Sequence, residues 1–261
     1  MKILRLLLIP LSLFALLFSA CHASPERSAQ VQAIRKRGVL QVGTQSDVPR
    51  FSYMNPETGE LEGFEIDLAR HIAEALCGNP NAVAFTIVTT PLRGPLLDNG
   101  EVDVVIAAYS ITEERKQHYN LTRPYYTDEV GFLVRKDAGI RGLADMEQKI
   151  IGVIRGTTTA AAVAGEAEKL GLQVRFWDFP SNPPAIAALL DREIDAFSVD
   201  KSILLGYQQE ETLILSDGFD PQYYGIALQR EQDQLTAYID GLLLAMYEDG
   251  TLSALLRKWG L

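Results

Sequence analysis

Phe64, Leu68, Ile72 and Leu76 recur four residues apart with polar residues between them. That spacing lays an apolar stripe along one face of a 3.6-residue repeat, so 63–77 is predicted to be an amphipathic helix ended by Gly78 and Pro80. Ahead of it, Val39 to Gly43 reads as a strand and Asn55 to Gly59 as a turn. Behind it come a strand at 83–88, a short helix near 93–98, a strand at 102–108 and a helix opening near 112. The alternation restarts after the apolar run 130–134, with strands at 150–154, 172–177 and 194–199 and helices at 158–170, 184–190 and 201–208. A further strand at 224–228 precedes two helices over 231–259, interrupted at 248–250. Strands alternating with helices define an α/β chain whose mainly parallel sheets are flanked by helices. If 131–134 and 224–228 are paired crossovers, the second unit is inserted into the first. The expected layout is lobe 1 at 37–130 and 225–261, lobe 2 at 131–224, and a linker at 22–36.

The start of the chain follows another pattern. Lys2 and Arg5 precede an apolar core from Leu6 to Phe18, and small residues follow, the layout of an export signal over 1–21. No later stretch reaches roughly eighteen uninterrupted apolar residues, so the mature chain is expected to be soluble. Leu17 to Cys21 resembles a lipoprotein cleavage box with a bulky Phe18, and lipid attachment at Cys21 is preferred to ordinary cleavage after Ala23. Losing the signal removes two cations and no acid, which drives a net charge of −10 further negative and argues against nucleic acid as a partner. Cys77 would then stand alone, without a disulfide, and reads as a buried inert thiol.

Enzyme and metal constellations are thin. His22, His71 and His118 are isolated, and there is no Cys/His cluster with metal spacing, no nucleophile elbow and no phosphate-cradling loop. No cofactor is expected. Two runs carry more information: Ser110 to Lys116, and Ile194 to Lys201. Each follows an apolar β-branched stretch and precedes a helical one, so Ser110, Arg115 and Asp200 should sit where strands hand over to helices, the place at which open α/β sheets bind ligands. A guanidinium matches a carboxylate and a buried carboxylate matches an ammonium, so the two runs suit a zwitterion such as a free amino acid. Taken singly, Arg115 also fits a charged helix face, Asp200 an N-cap and Arg93 a surface turn. Gly156 to Thr159 reads as a capped helix start or as an anion-holding one.

Six segments in order, 43–68, 93–103, 110–116, 124–126, 194–206 and 224–226, resemble the periplasmic polar amino-acid-binding proteins of ABC importers, solute-binding protein family 3. The runs beginning at Arg93 and Asp195 are most similar to the aspartate/glutamate-binding branch. The resemblance implies a two-lobed α/β fold of the type II kind joined by two hinge strands. It also implies a monomer that captures a polar L-amino acid by lobe closure and delivers it to an inner-membrane ABC permease. Glutamate or aspartate is the first expectation and glutamine the next.

By position, the resemblance makes Arg115 the clamp on the ligand α-carboxylate, with Ser110 beside it and with Thr158 and Thr159 as helix-start donors. Asp200 pairs with the ammonium, and the Ala108 carbonyl faces it. Phe51 lies in the aromatic-bearing loop that lines the pocket, and Arg93 reads a side-chain carboxylate. Two positions depart from the acidic-ligand pattern: Gln45 stands where a lysine can occur, and Asn182 where a tyrosine can. Arg50 and Arg155 belong to cleft loops, although surface positions are the ordinary place for arginines. Cyclohexadienyl dehydratases share this architecture and supply an enzyme alternative; adhesion or sensing is a third reading.

Overall fold

The computed structural model describes Pro25 and residues 28–261. The expected signal, Cys21 and His22 lie outside the described residues. Two sheets dominate. The first orders its strands as Val83–Ile87, Leu40–Thr44, Val104–Val105, Ala227–Gln229 and Tyr119–Leu121. Its first three strands are parallel and its last two pairings antiparallel. The second sheet repeats the plan. Arg175–Phe179, Ile150–Ile154 and Ala196–Asp200 are parallel, and the long strand Tyr126–Arg135 runs antiparallel to Ala196–Asp200. Thr212–Ile214 and Phe219–Tyr224 both pair with that long strand. In each sheet a single crossover strand, Ala227–Gln229 in the first and Tyr126–Arg135 in the second, runs against the direction of the others.

The crossover lies elsewhere than expected. The chain leaves the first sheet after Leu121 and enters the second at Tyr126, ahead of the 130/131 boundary, and the return runs from Tyr224 to Ala227. The long strand is paired Tyr126↔Tyr224 and Thr127↔Tyr223, not 131–134 with 224–228. Tyr125 N donates to Tyr224 O at 2.8 Å and Thr122 N to Ile226 O at 3.1 Å, which ties the two passages together.

The segment 22–36, expected as a linker, contains the helix Ala29–Arg37. The Ser28 side chain accepts from Val31 N at 3.2 Å, and Gly38 closes the helix at φ 76°. Val31 and Ile34 are buried in the core of the first lobe, so burial of an apolar pair makes this segment part of the fold.

Phe51, expected in the pocket, is fully buried in the core and absent from the cleft wall. Its ring packs edge-on against Phe64, Tyr126 and Tyr224 at centroid distances of 6.3, 5.1 and 5.8 Å. The cause is local. Arg50 takes a left-handed φ of 72°, which turns the following residue inward, and the carbonyls of Arg50 and Phe51 accept from Phe64 N and Glu65 N at the start of the helix Phe64–Cys77. Gly63 permits that close approach, since a Cβ there would lie 2.1 Å from Phe51 O. Arg50 itself points away from the cleft and donates to Gly260 O at 3.0 Å.

Phe51→Ala should therefore lower the stability of the ligand-free protein by roughly 3–5 kcal/mol, read as a reduced urea midpoint. A side chain that served the ligand would instead weaken binding and leave that midpoint in place.

Candidate functional site

The cavity between the lobes is lined by Gln45, Thr90, Arg93, Ala108, Ser110 and Arg115 from the first lobe and by Thr158, Thr159, Asn182 and Asp200 from the second. Every expected pocket residue except Phe51 is thus brought to one place, and Val48 takes the wall position that Phe51 does not reach. Thr157, Ile154, Val199 and Ile203 complete the wall. Arg155 is exposed and does not line the cavity, and His71 and His118 are exposed as well.

Both guanidiniums are held by main-chain carbonyls. Arg115 Nη1 donates to Ser110 O at 2.7 Å and Nη2 to Gly156 O at 3.2 Å, across the cleft. Arg93, 3% exposed, donates to the carbonyls of Thr90, Ala107, Ala108 and Gly156. The two cations share the Tyr109 ring, lying 4.3 and 4.8 Å from its centroid, where the π face offsets part of their repulsion. Burial, followed by the neighbouring charge of Arg115, lowers the pKa of Arg93 to about 10.

Asp200 ends the strand Ala196–Asp200 and opens the helix Lys201–Tyr207, yet its side chain does not cap that helix. Asp128 does so instead, accepting from Ser202 N at 3.1 Å. The carboxylate of Asp200 is left for the cleft, held by the Tyr224 hydroxyl. Burial, reinforced by the charge of Asp128, pushes its pKa up to about 7. No ion pair joins Asp200 to Arg115 among the described residues, so acid and base face the same cavity from separate lobes.

Across from Arg115 and Arg93, the helix Thr159–Lys169 presents its start. Thr158 is the N-cap residue, and its hydroxyl donates to Gln222 Oε1 at 2.8 Å rather than capping. The first N–H groups of that helix have no intrahelical partner, which suits an anion.

Glu65 escaped the sequence reading. It lies on the polar side of a plainly amphipathic helix, but it is 1% exposed. Its carboxyl accepts from Ala108 N at 2.6 Å, from Ser52 Oγ at 3.1 Å and from the Tyr125 hydroxyl. Ala108 has a φ of 45°, unusual for a residue with a Cβ, and the Glu65 bond to its N–H holds it there. Ala108 O accepts from Arg93 Nη1 at 3.2 Å, so Glu65 fixes the wall that carries Arg93.

Residues 40–261 match the family model of the bacterial extracellular solute-binding proteins, family 3, and the chain belongs to that family. It is 31% identical over 271 residues to the ABC transporter glutamine-binding protein GlnH of Bacillus subtilis, covering 99% of this chain and 97% of that protein. It is 30% identical over 254 residues to the glutamate-binding protein GluB of Corynebacterium glutamicum, covering 92% and 84%. A solved structure, the ancestral amino acid-binding protein AncCDT-1, a precursor of cyclohexadienyl dehydratase, matches with a TM-score of 0.78 at 29% identity, covering 88% of this chain and 99% of that one. These relatives are named as binding proteins, and the enzyme alternative is set aside.

The raised pKa of Asp200 means that the folded, empty protein binds more protons than the unfolded chain between the ordinary carboxylate range and about pH 7. Its stability therefore falls as pH rises through that window. Asp200→Asn keeps an oxygen for the Tyr224 hydroxyl and should stabilise the ligand-free protein more at about pH 8 than at about pH 5. Urea denaturation at the two pH values measures the difference, and an equal gain at both would contradict the assignment.

Proposed function

We propose that the chain captures a free polar L-amino acid by closing its two lobes and presents it to an ABC permease. The observation that carries this reading is the pair formed by a half-buried Arg115 and a buried Asp200, set around one cavity, on separate lobes and not paired with each other. A zwitterion answers both. Its α-carboxylate meets Arg115, Ser110 and the start of the helix Thr159–Lys169, and its ammonium meets Asp200 and the Ala108 carbonyl. Gln45, Thr90, Arg93 and Asn182 remain for the side chain, a set of amides, a hydroxyl and a guanidinium that suits a carboxylate or an amide. The names of the glutamine- and glutamate-binding relatives support the same pair of ligands.

Closure follows from the charges. An ionised Asp200 or Arg115 in a shut, empty cleft lacks an ionic partner, which costs on the order of several kcal/mol. The ligand removes that cost only when both lobes reach it, so it favours the closed state by differential contact. Because ammonium binding requires ionised Asp200, binding below about pH 7 should release a proton, visible as a dependence of the calorimetric enthalpy on the buffer used.

The test is thermal shift against the twenty amino acids after removal of carried-over ligand, followed by calorimetry on those that respond. Arg115→Ala should weaken the best ligand by about a hundredfold or more. Near-normal binding by that variant, or no response to any polar amino acid in the intact protein, would defeat the reading.

A further inference from the structure

Asn182 begins the helix Asn182–Leu190 on the second lobe and is 3% exposed on the cavity wall. Its nitrogens are committed to a single residue across the cleft. The backbone N–H donates to Asp47 Oδ2 at 3.0 Å, and Nδ2 donates to Asp47 Oδ2 at 3.1 Å and to Asp47 O at 3.3 Å. The Tyr207 hydroxyl, also from the second lobe, donates to the same Asp47 carbonyl. Turned over, the amide would set its oxygen against two oxygens of Asp47, with only the neighbouring Tyr207 hydroxyl able to donate to it. Its Oδ1 is buried with no hydrogen-bond partner. A buried, unpaired acceptor on a residue that lines the ligand cavity asks for a donor.

We propose that Asp47 is a specificity-determining positioning residue: it locks Asn182 with Oδ1 as an acceptor, so the cleft selects a side-chain amide over a side-chain carboxylate. The inference rests on the amino-acid reading above and narrows it to glutamine-like ligands. Arg93 has given four of its five N–H hydrogens to main-chain carbonyls, so it keeps a single Nη2 hydrogen for the ligand side chain, short of the paired contact a carboxylate takes from a free guanidinium. Gln45 Nε2 gives one of its two hydrogens to Thr90 Oγ1 at 3.2 Å. A ligand carboxylate would bring a second acceptor to Asn182 Oδ1, beside the acid of Asp47. An amide –NH2 would instead satisfy that oxygen.

Calorimetry with glutamine and glutamate on the intact protein, Asp47→Ala, Asp47→Asn and Asn182→Leu tests this. The intact protein should bind glutamine more tightly. Asp47→Ala frees the amide to rotate and should shrink the glutamine-to-glutamate preference by about tenfold, as should Asn182→Leu by deleting the acceptor. Asp47→Asn still offers an oxygen to both nitrogens of Asn182 and should keep the preference within about twofold. Weaker lobe contact affects both ligands alike, so the ratio reports the orientation of Asn182. If Asp47→Ala does not fold, Asn182→Leu and Asp47→Asn decide the matter. A preference for glutamate in the intact protein, or a ratio unmoved by Asp47→Ala and Asn182→Leu, overturns the proposal. If no polar amino acid binds the intact protein, the broader reading fails first and takes this proposal with it.

Discussion

Everything in this molecule is arranged around charges withdrawn from water and not returned a full partner. Asp200 on one lobe and Arg93 and Arg115 on the other meet at one narrow cavity, and each is only partly compensated by neutral groups: a tyrosine hydroxyl, carbonyl oxygens and an aromatic face. Carbonyl dipoles make a buried guanidinium tolerable without neutralising it. In the function proposed above, a dipolar ligand is what answers the residual imbalance. The framework behind the cavity is tied by hydrogen bonds and ring contacts. Glu65 pins a left-handed Ala108, and the rings of Phe51, Phe64, Tyr125, Tyr126 and Tyr224 pack where the chain crosses between lobes.

The periodic helices and the two chemistry-bearing runs were legible because each is local. Apolar spacing reports a buried face, and a strand-to-helix junction reports the sheet end where ligands sit. Ser110, Arg115 and Asp200 therefore reached the cavity as read. What could not be read was the geometry of the loop between Gln45 and Met54. Nothing in the string Val48-Pro49-Arg50-Phe51 announces that Arg50 is left-handed or that position 48, and not position 51, meets the cavity.

Glu65 and Asp47 were invisible for a related reason. Glu65 is an acid at a position that helix periodicity marks as polar, Asp47 an acid in a stretch with no periodic signal, and only distant segments make them buried or shared: Ala108 and Tyr125 for Glu65, Asn182 and Tyr207 for Asp47. The helix Ala29–Arg37 was different. Its signals, Ser28 as cap, Val31 and Ile34 three apart, and Gly38 at the end, are all local and stand in the sequence, inside the segment expected as a linker.

The paired passages at Tyr126 and Tyr224 have a mechanical consequence. Two antiparallel strands bonded side by side form a ribbon, which bends and twists readily but resists being stretched or sheared, because either would break its ladder. The second half of the molecule is therefore leashed at one edge. A closure of the kind proposed above would then turn about that edge without sliding one half across the other.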